Sequence, residues 1–587
     1  MTRPASEAGG LSTPWTDQVD DAHCLPEYPR PQLVRPRWHS LNGPWEYTSR
    51  TGDGPVWRDE SILVPFPPES PLSGISRTDE HMWYRRTFEI PADWPSRHRV
   101  LLHFGAVDQV ARVWINHQLV AEHEGGYTSF HADITDVLRA GGEQEILVHA
   151  VDSGNSGAFP VGKQARKPEG ILYTGSSGIW QPVWIEPVPS AYVEALTIGS
   201  DQRGLDVTVR AGGHGGERAE VTVTEPGGPV VARVSGRTGE RLRIDVPEPH
   251  LWDPDDPHLY DLTVRLSTAK DTLDEVTSYA GLRSVELVTD ERGRPRIALN
   301  GRITFQHGLL DQGYWPDGCY TAPTDEALRF DLERTKSLGF NTVRKHVKVE
   351  PARWYYWADR LGLLVWQDMP SLPVVLDNPP GPQARPVAKA RSRFETELAA
   401  MIEQLRGFTS IVVWVPFNEG WGEFETARVA KEVKASDPGR LVVADSGVNC
   451  CHSHPDSGEG DLYDDHTYVG PGRPLLKDGR ATVAGEYGGL GLVVDGHVWP
   501  GEPLAYELTA DREELTRRYA ELSEDLESVV RDLGLSAAIY TQTTDVENEV
   551  NGLLSYDRRV VKADPRVVAE RNRAVIAAGA VERGSAS

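Results

Sequence analysis

The chain has 587 residues, and its 61 Lys plus Arg against 87 Asp plus Glu give a formal net charge of −26. This acidic balance argues against nucleic acids and anionic membranes as partners, because both repel a negatively charged protein. The length allows about three or four domains, and a composition of 39% hydrophobic and 25% charged residues is typical of a folded globular protein.

Several classes of segment are absent from the sequence. No apolar run approaches the ~20 residues that a membrane helix needs. Residues 1–6 lack the apolar stretch of a secretory signal, so we expect a cytoplasmic protein. Cys450 and Cys451 are expected to remain free thiols, since a bridge between adjacent residues is strained. The nearby His and Asp residues lack metal-binding spacing, so we expect no metal site and no cofactor.

The first half of the chain has the pattern of β-sandwiches. Between about residues 38 and 283, short alternating or β-branched segments are separated by Gly, Pro, Asn and Asp. This pattern predicts antiparallel sheets, and a break at 187–190 divides the region into two β domains. The second of these has the length of an immunoglobulin-like sandwich.

After about residue 285 the pattern changes to alternating strands and helices. Thr324 begins a helix with an acidic first turn that stops near Gly339, and a strand follows at 341–344. The unit then repeats, with helices predicted at 351–361, 392–408 and 423–435 and strands at 363–366, 411–415 and 441–444. This repeat predicts a (β/α)8 barrel, whose chemistry lies at the C-terminal ends of its strands.

Two glutamates stand at the ends of apolar strands in this barrel. Glu419 follows Asn418 after the apolar run at 411–417, and Glu486 follows the run at 481–485. A carboxylate beside an apolar strand is costly to desolvate without partners. Two such carboxyls facing one sugar can cleave a glycosidic bond, one protonating the leaving oxygen while the other attacks. The alternative is that each glutamate caps the next helix or pairs with an arginine.

Motifs along nearly the whole chain, from about residue 38 to about 565, resemble glycoside hydrolase family 2, the family of β-galactosidase and β-glucuronidase. The resemblance implies a jelly-roll sugar-binding-like domain at 1–188, an immunoglobulin-like β-sandwich at 189–286 and a catalytic TIM barrel at 287–587. The motifs that carry it are 41–45, 83–88, 113–116, 124–130, 178–184, 249–252, 257–260, 281–283, 299–301, 307–311, 341–346 and 418–419.

The resemblance also implies roles for particular residues. Glu419 matches the general acid/base of the family and Glu486 its nucleophile. Asn418 would hold the hydroxyl next to the reacting carbon, where a contact is worth most in the transition state. Arg344 matches an arginine that keeps the nucleophile ionised, and His346 is similar in position to a histidine that contacts sugar hydroxyls.

Further substrate-binding candidates come from the neighbouring strand ends. In related barrels a residue on the preceding strand hydrogen-bonds the nucleophile, and by this resemblance Tyr468 is preferred to His466 for that place. Asp311 and Asp368 are candidate hydroxyl acceptors, with helix capping as the alternative. Trp421 is the foremost sugar-stacking candidate, ahead of Trp315, Trp366, Tyr487, Trp499 and Tyr540.

The segment at 541–552 bears on the choice of sugar. It is acidic and lacks the Asn-x-Lys pair that resemblance to β-glucuronidases would require, which disfavours a uronic acid, although Lys345 and Lys348 leave another route. We expect a retaining exo-β-glycosidase that releases a terminal neutral sugar in the manner of β-galactosidase, with β-D-galactofuranosidase as the alternative. A β-glucuronidase and a non-catalytic carbohydrate-binding protein are less favoured. The expected partner is a carbohydrate substrate, and self-association is left open.

Overall fold

The structure is a computed structural model that describes residues 10–580 except 52–53, 214–217, 269, 375, 377–380 and 478. Residues 1–6, on which the cytoplasmic expectation rests, lie outside the described residues. The described chain forms two β-sandwiches followed by a parallel barrel, which confirms the predicted fold class. Within it, no helix combines the length and the apolar character that a bilayer span requires.

The first sandwich packs a four-stranded sheet against a six-stranded sheet. Its strands alternate inward and outward residues, as in Gln144–Val151, where Ile146, Val148 and Ala150 are buried. In spatial order, the four-stranded sheet contains His39–Ser40, Val183–Val188, Arg99–Phe104 and Phe130–Asp133. The six-stranded sheet contains Ser61–Val64, Gly43–Ser49, His81–Phe88, Gln144–Val151, Val110–Ile115 and Gln118–Glu124. Short pairs are formed by Gln164–Ala165 with Tyr173–Thr174 and by Gly178–Ile179 with Val107–Asp108; the 3-10 helices are Thr16–Gln18, Pro71–Ser73, Thr135–Val137 and Gly154–Ser156.

The second sandwich is smaller and entirely antiparallel. Its first strand begins at Ala191, three residues after the last strand of the first sandwich ends at Val188. One sheet contains Ala191–Ser200, Gly204–Gly213 and Arg241–Asp245. The other contains Val230–Arg237, Arg218–Thr224, Tyr260–Ser267 and Thr272–Ala280. A three-stranded sheet of Val285–Thr289, Pro295–Leu299 and Arg302–Ile303 leads into the barrel.

The barrel consists of eight parallel strands in one sheet. They are β1 (Gln306–Asp311), β2 (Thr342–Lys345), β3 (Leu364–Asp368), β4 (Ile411–Val415), β5 (Leu441–Val442), β6 (Leu462–Thr467), β7 (Ala481–Gly488) and β8 (Ala537–Thr541). The helices are α1 (Asp325–Ser337), α2 (Ala352–Leu361), α3 (Ala388–Leu405), α4 (Thr426–Ser436), α5 (Arg512–Leu533) and α6 (Pro565–Gly579), and a short parallel pair joins Leu490–Gly491 to Glu507–Leu508.

Local chemistry explains how these barrel elements form. The Thr324 hydroxyl accepts a hydrogen bond from the Ala327 N–H and so begins α1 as predicted. Strand β4 is buried along its whole length, as a barrel strand covered on both faces should be. The sheet closes where Val443, just after β5, pairs with Leu462 of β6. Among the described residues no helix separates β5 from β6 or β6 from β7, so the strict βα alternation expected from sequence breaks at these two connections.

A long loop of the first sandwich docks on the barrel mouth. The N–H groups of Val161 and Gly162 donate to the Ser371 carbonyl at 2.7 and 3.1 Å. Farther along the same loop, the Thr174 N–H donates to a Glu547 carboxylate oxygen at 2.8 Å. The C-terminal ends of the barrel strands are therefore partly covered by the first domain.

One sequence expectation fails in this region. Cys450 and Cys451 form a disulfide, so the expectation of free thiols at this pair was wrong. Cys451 adopts a left-handed φ of 62°, and the two neighbouring side chains meet in this turn. The Cys450 sulfur lies 3.4 Å from Oε1 of Glu419, which places the pair beside a predicted catalytic residue.

Candidate active site

Glu419 projects from the loop that follows β4. Its backbone is left-handed, with φ of 49°, and its N–H donates to the Ser446 carbonyl at 2.7 Å. The next residue, Gly420, also has positive φ, and a Cβ there would lie 2.1 Å from the His452 carbonyl oxygen. Only glycine therefore fits this turn, which fixes the direction of the Glu419 side chain.

Glu486 lies within β7, and a single imidazole ring bridges it to Glu419. His466 Nδ1 lies 2.9 Å from Glu419 Oε1 and 3.7 Å from Glu486 Oε2. These distances mean that the two carboxylate oxygens cannot lie more than about 6.6 Å apart. Retaining glycosidases hold their carboxyls about 5–5.5 Å apart and inverting ones about 6.5–9.5 Å, so this upper limit on one oxygen pair is compatible with the retaining geometry.

Arg344 organises the floor of the site. Its guanidinium is fully buried. Nε donates to Asp368 Oδ1 and Nη2 to Asp368 Oδ2, both at 3.0 Å, and Nη2 also donates to Asn418 Oδ1 at 2.7 Å. The guanidinium also donates to Glu486 Oε1 at 3.3 Å. The planar guanidinium thus ties β2 to the ends of β3, β4 and β7 in one rigid network.

These neighbours set the charge of Glu486. Burial alone would raise the pKa of this carboxyl, but His466, followed by His346, Arg344 and the Tyr468 hydroxyl, lowers it to about 2. Glu486 is therefore ionised throughout the neutral range, as a carboxylate nucleophile requires.

His466 carries the matching positive charge. Burial would lower the pKa of the ring, but Glu486, Glu419 and Asp464 raise it to about 9. Its Nε2 faces Ser446 Oγ at 2.8 Å, so both ring nitrogens have partners. The site contains a cationic imidazole between its two glutamates, which sequence reasoning treated only as a second choice to Tyr468.

Tyr468 completes the environment of Glu486. Its hydroxyl donates to Glu486 Oε2 at 2.5 Å and lies 2.9 Å from Thr541 Oγ1. Its ring is parallel to that of Tyr506, with centroids 3.6 Å apart. The structure thus places Tyr468 where the sequence predicted, although its role in the reaction stays a prediction.

Several polar groups remain open toward the centre of the site. Asn418 Nδ2 and Trp421 Nε1 are buried and have no hydrogen-bond partner among the described residues. A buried donor without a partner is costly, so these atoms suit the hydroxyl groups of a bound ligand. His346 packs against Trp421, with ring centroids 6.0 Å apart, and its Nδ1 lies 2.9 Å from Asp368. Burial, followed by the charge of Lys163, lowers the pKa of His346 well below its usual value.

The two predicted aspartates face protein partners instead. Asp368 is engaged by Arg344 and His346, and Asp311 is paired with Lys345 at 2.7 Å. Lys345 and Lys348 are fully buried and both contact Glu350 at 2.8 Å. Lys345 and Lys348, which the sequence offered as possible partners of a substrate carboxylate, are therefore already paired within the protein.

The other aromatic candidates pack elsewhere. Trp366 and Tyr540 have no exposed surface, and Tyr487 is 1% exposed with its hydroxyl 3.0 Å from His307. Trp315 lies under the Arg558 guanidinium, and Trp499 packs against Tyr556. Among the six candidates, Trp421 is the one that the structure brings beside the two glutamates.

A metal is not assigned to this site. Potential ligand atoms of Glu419, Cys450 and His466 lie within 4.8 Å of one another. A cysteine binds metal as a thiolate, whereas the Cys450 sulfur is bonded to Cys451.

Sequence reasoning missed three residues near the site: Lys163 and Tyr173 from the first sandwich, and Tyr506 from the β7–β8 connection. Glu549 lies in the segment 541–552, which the sequence had marked as acidic. The signal for the first two was the length of the segment between strands Gln144–Val151 and Val183–Val188. Loops of this length inside a compact domain are usually functional.

An acid pair at the mouth of a parallel barrel, behind two β-sandwiches, is the arrangement of a glycoside hydrolase. Three sequence models of one family match the chain in order: the sugar binding domain at residues 37–158, the central model at 183–283 and the TIM barrel domain at 318–457. The chain belongs to glycosyl hydrolases family 2, which confirms the resemblance and the predicted enzyme class.

Named relatives include two activities. A β-galactosidase of Thermoanaerobacter pseudethanolicus is 27% identical over 303 residues, which cover 49% of this chain and 39% of that protein. A β-glucuronidase of Felis catus is 24% identical over 480 residues, covering 71% of this chain and 69% of that one. The chain spans about two fifths of the length of the first curated relatives it matches.

Solved structures share the fold. A β-glucuronidase of Bifidobacterium dentium complexed with coumarin-3-O-glucuronide aligns with a TM-score of 0.74 at 18% identity, over 92% of this chain and 98% of that one. An FMN-binding β-glucuronidase from Facaelibacterium prausnitzii L2-6 aligns with a TM-score of 0.72 at 20% identity, over 91% and 85%. At these identities the likeness establishes the fold.

Proposed function

We propose that this protein is a retaining exo-β-glycosidase that releases a terminal neutral sugar, with a β-galactoside as the default substrate. The observation that carries the proposal is the triad of Glu419, His466 and Glu486, in which Glu486 is ionised and its Oε2 lies no more than about 6.6 Å from Oε1 of Glu419. The loop of the first sandwich that covers the barrel mouth supports a pocket for a chain end rather than an open cleft.

In the first step, Glu486 attacks the anomeric carbon while Glu419 gives a proton to the leaving oxygen, and a covalent glycosyl-enzyme forms. Arg344 and Tyr468 hold the attacking carboxylate in place, and Asn418 Nδ2 is free to bind a sugar hydroxyl. Contacts that strengthen as the sugar ring becomes oxocarbenium-like stabilise the transition state more than the bound substrate, and so they lower the activation barrier.

In the second step, Glu419 acts as a base on water, which attacks the anomeric carbon and releases Glu486. His466 lies close enough to both carboxyls to respond to the change in their charges between the two steps. Its positive charge faces one carboxylate at each stage: Glu486 before the first step, and Glu419 once it has given up its proton and Glu486 is esterified.

The sugar class is inferred from the groups around the pocket. The segment after β8 presents Glu547 and Glu549, and both lysines that could have met a uronate are fully buried in ion pairs. A negatively charged sugar would meet repulsion from this segment. These features support a neutral glycoside, although named relatives include β-glucuronidases as well as a β-galactosidase.

The experiment is a panel of p-nitrophenyl β-glycosides containing galactopyranoside, galactofuranoside, glucopyranoside and glucuronide, assayed with the wild type and with Glu486→Ala. We expect hydrolysis of a neutral member and at least about 1,000-fold loss in the variant, as for other essential nucleophiles. The preferred substrate is then followed by proton NMR, and the first anomer released should be β. Preference for the glucuronide would contradict the sugar class, and an α product would contradict the retaining mechanism.

A further inference from the structure

Lys163 is an unusual component of the site, because it comes from the first sandwich and not from the barrel. Its side chain is 5% exposed. Its Nζ lies 5.7 Å from the centre of the Trp421 ring and 5.5 Å from that of Tyr173. Among the described residues it makes no hydrogen bond and no ion pair. Aromatic faces attract the ammonium but accept no conventional hydrogen bond from it, so its N–H donors remain available to a ligand.

The loop that carries Lys163 is held rigidly in place. Gly162 has a positive φ of 61°, and a Cβ there would lie 2.4 Å from the Val347 carbonyl oxygen. The Tyr127 hydroxyl donates to the Val161 carbonyl at 2.9 Å. Trp421 stands two residues after Glu419, and His346 packs on Trp421, so Lys163 lies against the same wall as the reacting groups.

A charge of opposite sign lies at the other end of Tyr173. The Tyr173 hydroxyl donates to Oε2 of Glu549, whose Oε1 accepts a bond from Asn551 at 3.0 Å. Glu549 is 2% exposed, and each of its oxygens retains a further lone pair. Tyr173 therefore contacts both a cation whose donors are available and a carboxylate that can still accept.

We propose that Lys163 and Glu549 are a sugar-recognition pair: Lys163 donates to a hydroxyl oxygen of the terminal sugar, and Glu549 accepts from another hydroxyl. This inference rests on the proposed function and specifies its substrate class. A hydroxyl both donates and accepts, so one neutral sugar satisfies both ends. A uronate is disfavoured, because its carboxylate would bring a second negative charge into the pocket that already contains Glu549.

The test measures kcat and KM separately for Lys163→Met, Lys163→Arg and Glu549→Gln on the best neutral substrate. Methionine keeps the length of the side chain and removes its donors, and loss of a charged hydrogen bond should raise KM at least about tenfold. Arginine keeps the charge and should restore KM to within about threefold of the wild type. Glu549→Gln should raise KM for the neutral sugar and lower the ratio of neutral to uronide kcat/KM, because it removes the repelling charge.

Lys167→Met is the matched control, since Lys167 lies on the same loop and is exposed. The proposal is overturned if Lys163→Met behaves like Lys167→Met, or if the wild type prefers the glucuronide and this preference is lost in Lys163→Met.

Calorimetric binding of galactose, galactonolactone and glucuronate to each protein separates the recognition pair from the proposed reaction. If no glycoside is hydrolysed but a neutral sugar binds and Lys163→Met weakens it tenfold, the proposed reaction fails while the recognition pair stands. If none of these sugars binds the wild type, the pair is refuted.

Discussion

Replacing His466 by Asn removes the cation that lies between the two glutamates. The ring nitrogen stands 3.7 Å from Glu486 Oε2. At an effective dielectric of about 20 this pair is worth about 4.5 kcal/mol, and at that of water about 1 kcal/mol. Since about 1.4 kcal/mol corresponds to one pKa unit, the pKa of Glu486 should rise by about one to three units from its value of about 2.

The assay is the pH dependence of kcat/KM on an aryl glycoside between pH 3 and 10. Ionisation of Glu486 sets the acid limb, so that limb should move upward to about pH 3–5 in His466→Asn. Ser446→Ala is the control: it removes a neutral partner of the same ring, 2.8 Å from Nε2, and keeps the cation. An acid limb that moves equally in both variants, or in neither, would refute the electrostatic role of His466.

The same charge has a signature in stability. The pKa of His466 in the fold, about 9, lies above its ordinary value of 6.5. The charged ring therefore stabilises the protein fully below about pH 6.5, and this contribution is lost as the pH rises through about 9. Circular dichroism melting across that range should show a smaller decrease in Tm for His466→Asn than for the wild type.

Three further predictions concern individual side chains. Glu419→Ala removes the proton donor, so activity on poor leaving groups should fall much more than on activated aryl glycosides, and equal losses would contradict its role. Glu486→Ala opens space opposite the leaving group, so added azide should give an inverted glycosyl azide by NMR, whereas a retained adduct would exchange the two assignments. Asp311→Asn leaves Lys345 short of a buried partner, and chemical denaturation should show a loss of about 3 kcal/mol with KM unchanged; a raised KM with full stability would restore Asp311 to the substrate site.

The sequence predicted the parts of this molecule that depend on local pattern. The alternating strands, the Thr324 cap and the buried β4 run each leave a periodic or positional signal. The strand ends that carry Glu419 and Glu486 could be found because an acidic residue after an apolar run is conspicuous. Arg344 and Tyr468 came from the family resemblance, and the structure brings both to Glu486.

What the sequence could not supply were contacts between segments far apart in the chain. Lys163 and Glu549 are 386 positions apart in numbering, and only the docking of the first sandwich, which carries Lys163 and Tyr173, brings Tyr173 to Glu549. Asp311 satisfied the strand-end rule, but its pairing with Lys345 depends on the register of β1 against β2. The Cys450–Cys451 bridge depends on a left-handed turn that composition does not reveal.

The central claim is that Glu486 forms a covalent bond to the sugar. The most direct measurement is mass spectrometry of peptides after incubation with a 2-deoxy-2-fluoro glycosyl fluoride of the preferred sugar, which slows both steps and lets the glycosyl-enzyme accumulate. The account predicts one added fluorosugar on the peptide that contains Glu486, and none in Glu486→Ala. A label on the peptide that contains Glu419, or an unlabelled enzyme that turns the substrate over with inversion, would contradict it.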